Sequence, residues 1–423
     1  MIQTPMLMLS DAISSTTGLA RIFRDIAVRA HAELPQYRIG TYGVGGPIST
    51  SSKYPFPNYT IQHLDRMIPL DLPQVWEDFA GRVGDGRQED SLDALPGTVR
   101  KGILFTCWNP SWVLWLSKPE ILPEGHPIRT FLESNPFEKW LYCPVDGNCS
   151  DGTLGFQGAD ALSGFDRVLA YTCYGADVIE KTMLHWGGVD LEIPHLPHGL
   201  DTSVFYPRDR KLARQTMISR LTNGAKSGLI HDEQVLLSVV ATNSFRKDWG
   251  LAFETCAQLI RRGHDVLLWG HTDGLQPRMG TSLYWDILAL IRQYGMDKRV
   301  MITMDRISDE DMAWGLSACD AALGIGSEGW GYPLSEALGC GLPVVHMTYA
   351  GGADFTPEWL QVEPVGYRQE PGWCIHRPTF KPSDWADKVE LALTPEGKAG
   401  ATLPGYIDWN NAWPDWADWL SGS

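Results

Sequence analysis

The stretch SEGWGYPLSEALGCGLPVVHMT, Ser327–Thr348, decides the fold. The run before it, DAALGIG (Asp320–Gly326), is short and apolar, and the run at its end, LPVVHMT (Leu342–Thr348), is rich in valine. Both have the length and composition of buried strands. Between them, Pro333 stands where a first helical turn accepts proline, and Gly339 and Gly341 close the segment as glycines close helices. Strand, loop, helix and strand in this order make one βαβ unit of a parallel sheet. The loop carries Glu328, Gly329 and Gly331. Glycines let the backbone approach a ligand closely, and the N–H groups of a helix start favour an anion, so a phosphate docks naturally at 329–332. Glu336 stands about one turn into the helix, where its carboxylate can accept two hydrogen bonds from vicinal hydroxyls such as those of a ribose.

The same alternation continues outward on both sides. Gln234–Thr242, Asp265–Thr272 and Arg299–Met304 read as strands, and WGLAFETCAQLIRRG (Trp249–Gly263) as an amphipathic helix. Ser308 is placed to cap a helix whose first turn holds Asp309, Glu310 and Asp311. In the N-terminal half, Pro5–Ser10, Tyr37–Val44, Gly102–Trp108, Lys139–Val145 and Asp166–Thr172 read as strands. Leu19, Ile22, Phe23, Ile26 and Ala30 form one apolar helix side after Gly18, and Asp85–Thr98 reads as an exposed polar connection. A proline-rich stretch, Pro194–Pro207, marks the change of domain. The expected fold class is therefore α/β with two Rossmann-like domains, 1–198 and 199–400, whose parallel sheets face each other across a cleft at their strand C-termini. Residues 401–423 form a helix in which Trp409, Trp413, Trp416 and Trp419 make one packing stripe, and this helix is expected to pack back on the N-terminal domain.

Bulk composition narrows the function classes. With 43% hydrophobic and 20% charged residues the chain can bury a sizeable core. A net charge of −16 disfavours nucleic acid and anionic membrane surfaces as partners. The eight cysteines are scattered, as reduced thiols are, and Cys143 and Cys149 do not have a zinc-ligand spacing. His195 and His198 lie between prolines, which favours a linker turn over metal ligation. No apolar run reaches the roughly 18 residues of a membrane span, and Met1–Ser10 lacks a basic leader, so the expected location is cytoplasmic.

Glu328, Gly329, Trp330, Gly331, Pro333, Glu336, Ala337, Gly341, Pro343, Val344 and Val345 together resemble the Glu-x7-Glu signature of retaining GT-B glycosyltransferases, in particular glycosyltransferase family 4. PHGLDTSVFYP (Pro197–Pro207), Val239–Leu259 and Asp305–Leu323 are similar to further family elements in the right order, so the resemblance covers most of 195–350. It implies a GT-B fold and transfer of a hexose-type sugar from a nucleotide-diphosphate sugar, UDP- or GDP-linked, to a hydroxyl acceptor (saccharide, lipid-linked or small molecule). It further implies retention of anomeric configuration, no metal and no cofactor.

By the same resemblance Glu336 holds the nucleotide ribose, Glu328 contacts the donor sugar, and Gly329, Trp330, Gly331 and Tyr332 touch sugar or phosphate. Lys247 neutralises the diphosphate with Arg246 as companion, and Gly18 approaches the phosphates. The family's usual arginine, placed a few residues before the lysine, is absent here, where Thr242 and Asn243 stand. Asp146 is the candidate polar residue near the sugar, or else an ordinary Asp-Gly turn aspartate. No side chain is assigned as a nucleophile. Two other readings stay open: transfer to a hydroxylated base of phage DNA, which a basic stripe would favour, and a glycosyltransferase-like binding protein without turnover.

Overall fold

Every residue of Pro5–Ser10 is buried, as in a strand covered on both faces by helices. This strand opens the first sheet of the structure, a computed structural model that describes residues 3–45, 53–65, 67–81, 102–222, 230–277, 283–304, 306–370 and 374–422. The predicted connection Asp85–Thr98 lies outside the described residues.

The strands in chain order are β1 (Thr4–Asp11), β2 (Tyr37–Val44), β3 (Asn58–Thr60), β4 (Leu64–Asp65), β5 (Ile68–Pro69), β6 (Gly102–Thr106), β7 (Phe137–Cys143) and β8 (Arg167–Ala170). There follow β9 (Val235–Val240), β10 (Val266–His271), β11 (Val300–Thr303), β12 (Ala321–Leu323), β13 (Val344–Met347), β14 (Gln361–Val362), β15 (Gly366–Gln369) and β16 (His376–Thr379). Six of the first eight form a parallel sheet in the order β3-β2-β1-β6-β7-β8, and β4 with β5 makes a small hairpin. Six of the rest form a second parallel sheet, β11-β10-β9-β12-β13-β14, and β15 pairs antiparallel with β16. Both sheets have doubly wound order. The strand order reverses beside β1 in one and beside β9 in the other, and open α/β sheets take their ligands at such reversals.

The chain divides into two compact units. The first comprises Met1–Val145, Asp151–Leu196 and Trp413–Ser423, and the second Asp146–Ser150 and Pro197–Ala412. The sequence draws its boundaries at 198 and 400 and leaves 146–150 in the first domain. The structure moves 146–150 into the second unit because backbone bonds hold it there: Asn148 N donates to Tyr349 Oη (3.0 Å), and His376 N donates to Asn148 O (2.9 Å). Within the first unit, Trp416 of the last helix, Trp409–Ser421, is fully buried edge-on to Tyr142. Trp419 lies against Trp140 and Phe105, and Trp413 Nε1 donates to Glu33 at 2.8 Å. The tryptophan stripe is a packing stripe.

In the second unit Asp320, buried at the start of β12, accepts from Arg214 Nη2 (2.8 Å) and from Leu236 N of neighbouring β9 (2.9 Å). That pins the two strands flanking the reversal. Ser308 caps the helix Asp309–Ala318 by accepting from Asp311 N at 3.1 Å, and Asp311 also pairs with Arg220. Among the described residues no helix is long and apolar enough to cross a membrane.

Candidate active site

The site is built on the second unit, where β9 and β12 end side by side. The turn after β9 is organised by Asn243, which is buried. Its Nδ2 donates to Gly274 O (2.9 Å) and Trp285 O (2.8 Å), while its Oδ1 accepts from Trp285 N (2.7 Å). The position where the family resemblance expects an arginine thus holds the loop's structural hub. The turn then presents Arg246 and Lys247. Asp248 N donates to Ile325 O (3.2 Å) and Asp248 caps the helix Trp249–Arg261, so the backbone of this turn is fastened to the end of β12. Lys247 also bridges Gly326, and a Cβ on Gly326 would stand 2.4 Å from Lys247 Cδ. Glycine at 326 is what lets the lysine stem cross the strand end.

Glu328 follows at once and ties the two basic residues together. One carboxylate oxygen pairs with Lys247 Nζ and the other with Arg246 Nη1 at 2.9 Å. Arg246 Nη1 also donates to Ser327 O (2.9 Å), and its Nε lies 3.5 Å from Asp146 Oδ2. Asp146 pairs in turn with Arg377, which pairs with Glu370. Three cations (Lys247, Arg246, Arg377) therefore alternate with three carboxylates (Glu328, Asp146, Glu370) in one chain of contacts. Burial raises the Asp146 carboxyl, but the positive charges of Arg377, Arg246 and Lys247 outweigh it and hold its pKa below the ordinary value. Lys247, with its side chain 5% exposed, is pushed well below the usual lysine value by burial first and by Arg246 next, with Asp146 opposing.

An open pocket of about 400 Å³ lies at this point, lined by Lys247, Gly324, Gly326, Glu328, Pro333 and Leu334 among others. It sits where the strand order reverses, as ligand sites of this architecture do. Below it, His346 of β13 is fully buried. Its Nδ1 donates to Gly324 O at 2.8 Å, Nε2 has no protein partner, and burial lowers its pKa to about 4. The imidazole is neutral at pH 7.

The helix Tyr332–Gly339 begins as predicted, with Gly331 at its N-cap in the left-handed region (φ 90°) and Pro333 in its first turn. Glu336 is buried on this helix at 6% exposure. Trp330 stacks on Phe355 at 4.4 Å, and His198 lies between Trp330 (5.0 Å) and Tyr332 (5.5 Å). The histidine of the proline-rich crossing is thus a wall of this loop, and Gly352 N donates to Glu328 O at 3.3 Å to close it.

Of the sequence-derived residues, the structure brings Glu328, Lys247, Arg246 and Asp146 into direct contact. Gly329, Trp330, Gly331, Tyr332 and Glu336 adjoin them along the loop and helix. Gly18 begins a helix of the first unit, capped by Thr17. Sequence reading missed Arg377 and Glu370, both contributed by the β15–β16 hairpin region. The only local signal is the Pro-Gly turn chemistry of QEPGW, and no spacing links residue 377 to residue 146.

Neither a family model nor a curated protein matches the chain. Solved structures match it over its length. Sucrose-phosphate synthase of Thermosynechococcus elongatus is 16% identical with 100% of each chain covered and a TM-score of 0.64. A UDP-forming α,α-trehalose-phosphate synthase of Burkholderia vietnamiensis is 11% identical with 99% of each chain covered and a TM-score of 0.65. HepE of Anabaena, solved in complex with UDP and glucose, is 14% identical with 99% of each chain covered and a TM-score of 0.60. What is shared at these identities is the fold, and it is the GT-B fold: two Rossmann-like units, each on a six-stranded parallel sheet.

Proposed function

We propose that this chain is a glycosyltransferase that moves a hexose-type sugar from a nucleoside-diphosphate sugar to a hydroxyl acceptor, with retention and without a metal ion. The observation that carries the reading is the junction of Lys247 and Arg246 with Glu328 at the β9/β12 reversal, at the head of the loop and helix that bear Glu336. Solved structures that share this fold include a sucrose-phosphate synthase and a UDP-forming α,α-trehalose-phosphate synthase, and one was solved with UDP and glucose.

The chemistry follows from charge. When the glycosidic bond to the diphosphate breaks, negative charge builds on the leaving phosphate, and fixed cations stabilise it. Arg246 and Lys247 fill this role. A bound diphosphate also favours the ammonium form of Lys247, which burial alone disfavours. Glu328, released from the two cations, can accept hydrogen bonds from the sugar hydroxyls, and Glu336 those of the ribose. Asp146, held ionised beside Arg246, is on this reading the polar residue offered to the donor sugar.

The test is thermal unfolding with a panel of nucleoside diphosphates and sugar nucleotides, EDTA present, on the wild type and Glu336→Ala. A ligand at 100 times its Kd adds about 2.7 kcal/mol, enough to move Tm by several degrees. A shift with one donor that disappears in the variant supports the reading, and turnover of that donor in EDTA supports metal independence. No shift with any member refutes a preformed donor site.

A further inference from the structure

Arg377 is the most completely engaged side chain of the site. It is 6% exposed. Its Nε donates to Glu370 Oε2 at 2.6 Å, and Nη2 forms an ion pair with the same oxygen at 2.6 Å. Nη1 donates to Asp146 O (2.6 Å) and Ser327 Oγ (2.7 Å), and Nη2 lies 3.3 Å from Asp146 Oδ1. These acceptors engage all three nitrogens of the guanidinium. Arg246 contrasts with it: its side chain is 31% exposed, so it still has a face to offer a ligand. Arg377 is thus buried and turned to protein acceptors, and it touches both neighbours of Arg246, the Asp146 carboxylate and the Ser327–Glu328 corner.

Other contacts aim the same way. A Cβ on Gly147 would stand 2.9 Å from Arg377 Nη1 and 2.7 Å from Ile375 Cγ2, so the backbone beside Asp146 lies directly on the hairpin strand. Tyr349 Oη donates to His376 O (2.7 Å) and accepts from Asn148 N (3.0 Å), clamping the same segment one residue further along. A short segment that the sequence places between β7 and β8 is carried to the cation cluster and held there.

We propose that Arg377 is a positioning residue of the donor site, which satisfies Asp146 so that the positive charge of Arg246 stays available to the donor diphosphate. This deepens the glycosyltransferase reading and rests on it. Of the three cations whose charge acts on Asp146, two form ion pairs with it, Arg377 and Arg246. With Arg377 present, its Oδ1 and its backbone carbonyl are held by Arg377, and only the longer 3.5 Å contact reaches Arg246. Without Arg377, a half-buried carboxylate has one cation left to pair with, and closes on Arg246 in the place a phosphate oxygen needs. The hairpin thus acts on substrate only through Asp146 and Arg246.

The experiment is isothermal titration of the purified full chain with UDP, GDP, ADP and TDP. It compares wild type, Arg377→Met, Arg377→Lys, Asp146→Asn and the double variant Arg377→Met/Asp146→Asn, with circular dichroism melts on each. Arg377→Met is expected to weaken binding of the nucleotide the wild type prefers by roughly ten- to a hundredfold, the span of one charge-assisted contact. Arg377→Lys should recover part of that. The double variant should bind within about threefold of Asp146→Asn alone, because the competitor for Arg246 is gone. A purely structural arginine predicts the opposite: the double variant is no better than Arg377→Met and melts lower still. In turnover, the donor KM of Arg377→Met should rise more than kcat falls. Unchanged nucleotide binding in Arg377→Met, or no rescue in the double variant, overturns the role assigned to Arg377 and leaves the glycosyltransferase reading standing. A wild-type chain that binds none of the four nucleotides overturns both.

Discussion

Replacing Lys247 by methionine separates a residue kept for the ligand from one kept for the fold. Lys247 is nearly inaccessible to solvent, and its carboxylate partner, Glu328, has a second cation in Arg246 at 2.9 Å. Removing one partner of a buried ion pair usually costs about 3–5 kcal/mol, because the other charge is left uncompensated. Here Arg246 remains to compensate it. Replacing a whole buried ion pair by apolar side chains is often neutral or stabilising, by about 1–4 kcal/mol, and here burial itself disfavours the ammonium that methionine would remove. A methionine also keeps an unbranched stem against Gly326, where the lysine Cδ lies so close. The empty Lys247→Met protein should therefore be as stable as the wild type or more stable, by roughly 0–2 kcal/mol. Its nucleoside-diphosphate affinity should fall by the worth of one hydrogen bond to a charged group, about 1.5–3 kcal/mol, or roughly ten- to 150-fold.

The measurements are urea unfolding followed by tryptophan fluorescence, and nucleotide titration, both at pH 7. The pH dependence gives a second check. Burial, then Arg246, hold the folded pKa of Lys247 below its unfolded value, so the folded state binds fewer protons in the window between the two. The wild type must gain stability as pH rises through that window towards about 10.4, and the variant has no such gain, so the gap between them narrows from pH 7 to pH 10. A stability loss of about 3 kcal/mol or more in Lys247→Met would show that the lysine clamps Glu328 for the fold. Undiminished nucleotide binding would remove Lys247 from the donor site.

Three further outcomes are expected. His346, fully buried with its pKa lowered to about 4, is neutral when folded, so the unfolded chain takes up the extra proton below pH 6.5. The wild type should lose about 3 kcal/mol between pH 6.5 and 4, and His346→Asn, which keeps a donor for Gly324 O, should flatten that slope in urea titrations across the range. Trp416→Ala empties a fully buried indole site beside Tyr142 and should cost about 3–5 kcal/mol in chemical unfolding, and a cost below about 1 kcal/mol would contradict the packing role of the stripe. Gly326→Ala should displace the Lys247 stem and weaken nucleotide binding in the same titration with little change in circular dichroism, whereas wild-type affinity would show that the close approach is not needed.

How far the sequence reveals this site depends on whether its partners are near one another along the chain. Ten of the twelve strands in the two parallel sheets, all but β3 and β14, were legible because each is a short apolar run ended by glycine or a polar turn. Tyr37–Val44 coincides with β2 residue for residue, and the Ser308 cap was visible from three acids in the following turn. The loop and helix at 328–336 were legible for the same reason: glycines, proline and two glutamates are spaced by one local backbone geometry. The contact of Lys247 with Glu328 was reachable only through family resemblance, since the two stand 81 positions apart in the chain. Asp146 with Arg377 was out of reach altogether. Their pairing depends on a five-residue segment leaving one unit's sequence for the other unit's fold, and on a hairpin whose strands, Gly366–Gln369 and His376–Thr379, are too short and polar to register as strands. Asn243 illustrates the converse. The sequence shows it only as a missing arginine, whereas the structure gives the reason: its amide ties Gly274, Tyr284 and Trp285 to the turn. An arginine there would have to give up those bonds, so the chain's cations come instead from the end of the turn, Arg246 and Lys247. A site that takes its positive charge from there needs a neighbouring carboxylate kept off it, and Arg377 stands where it can do so.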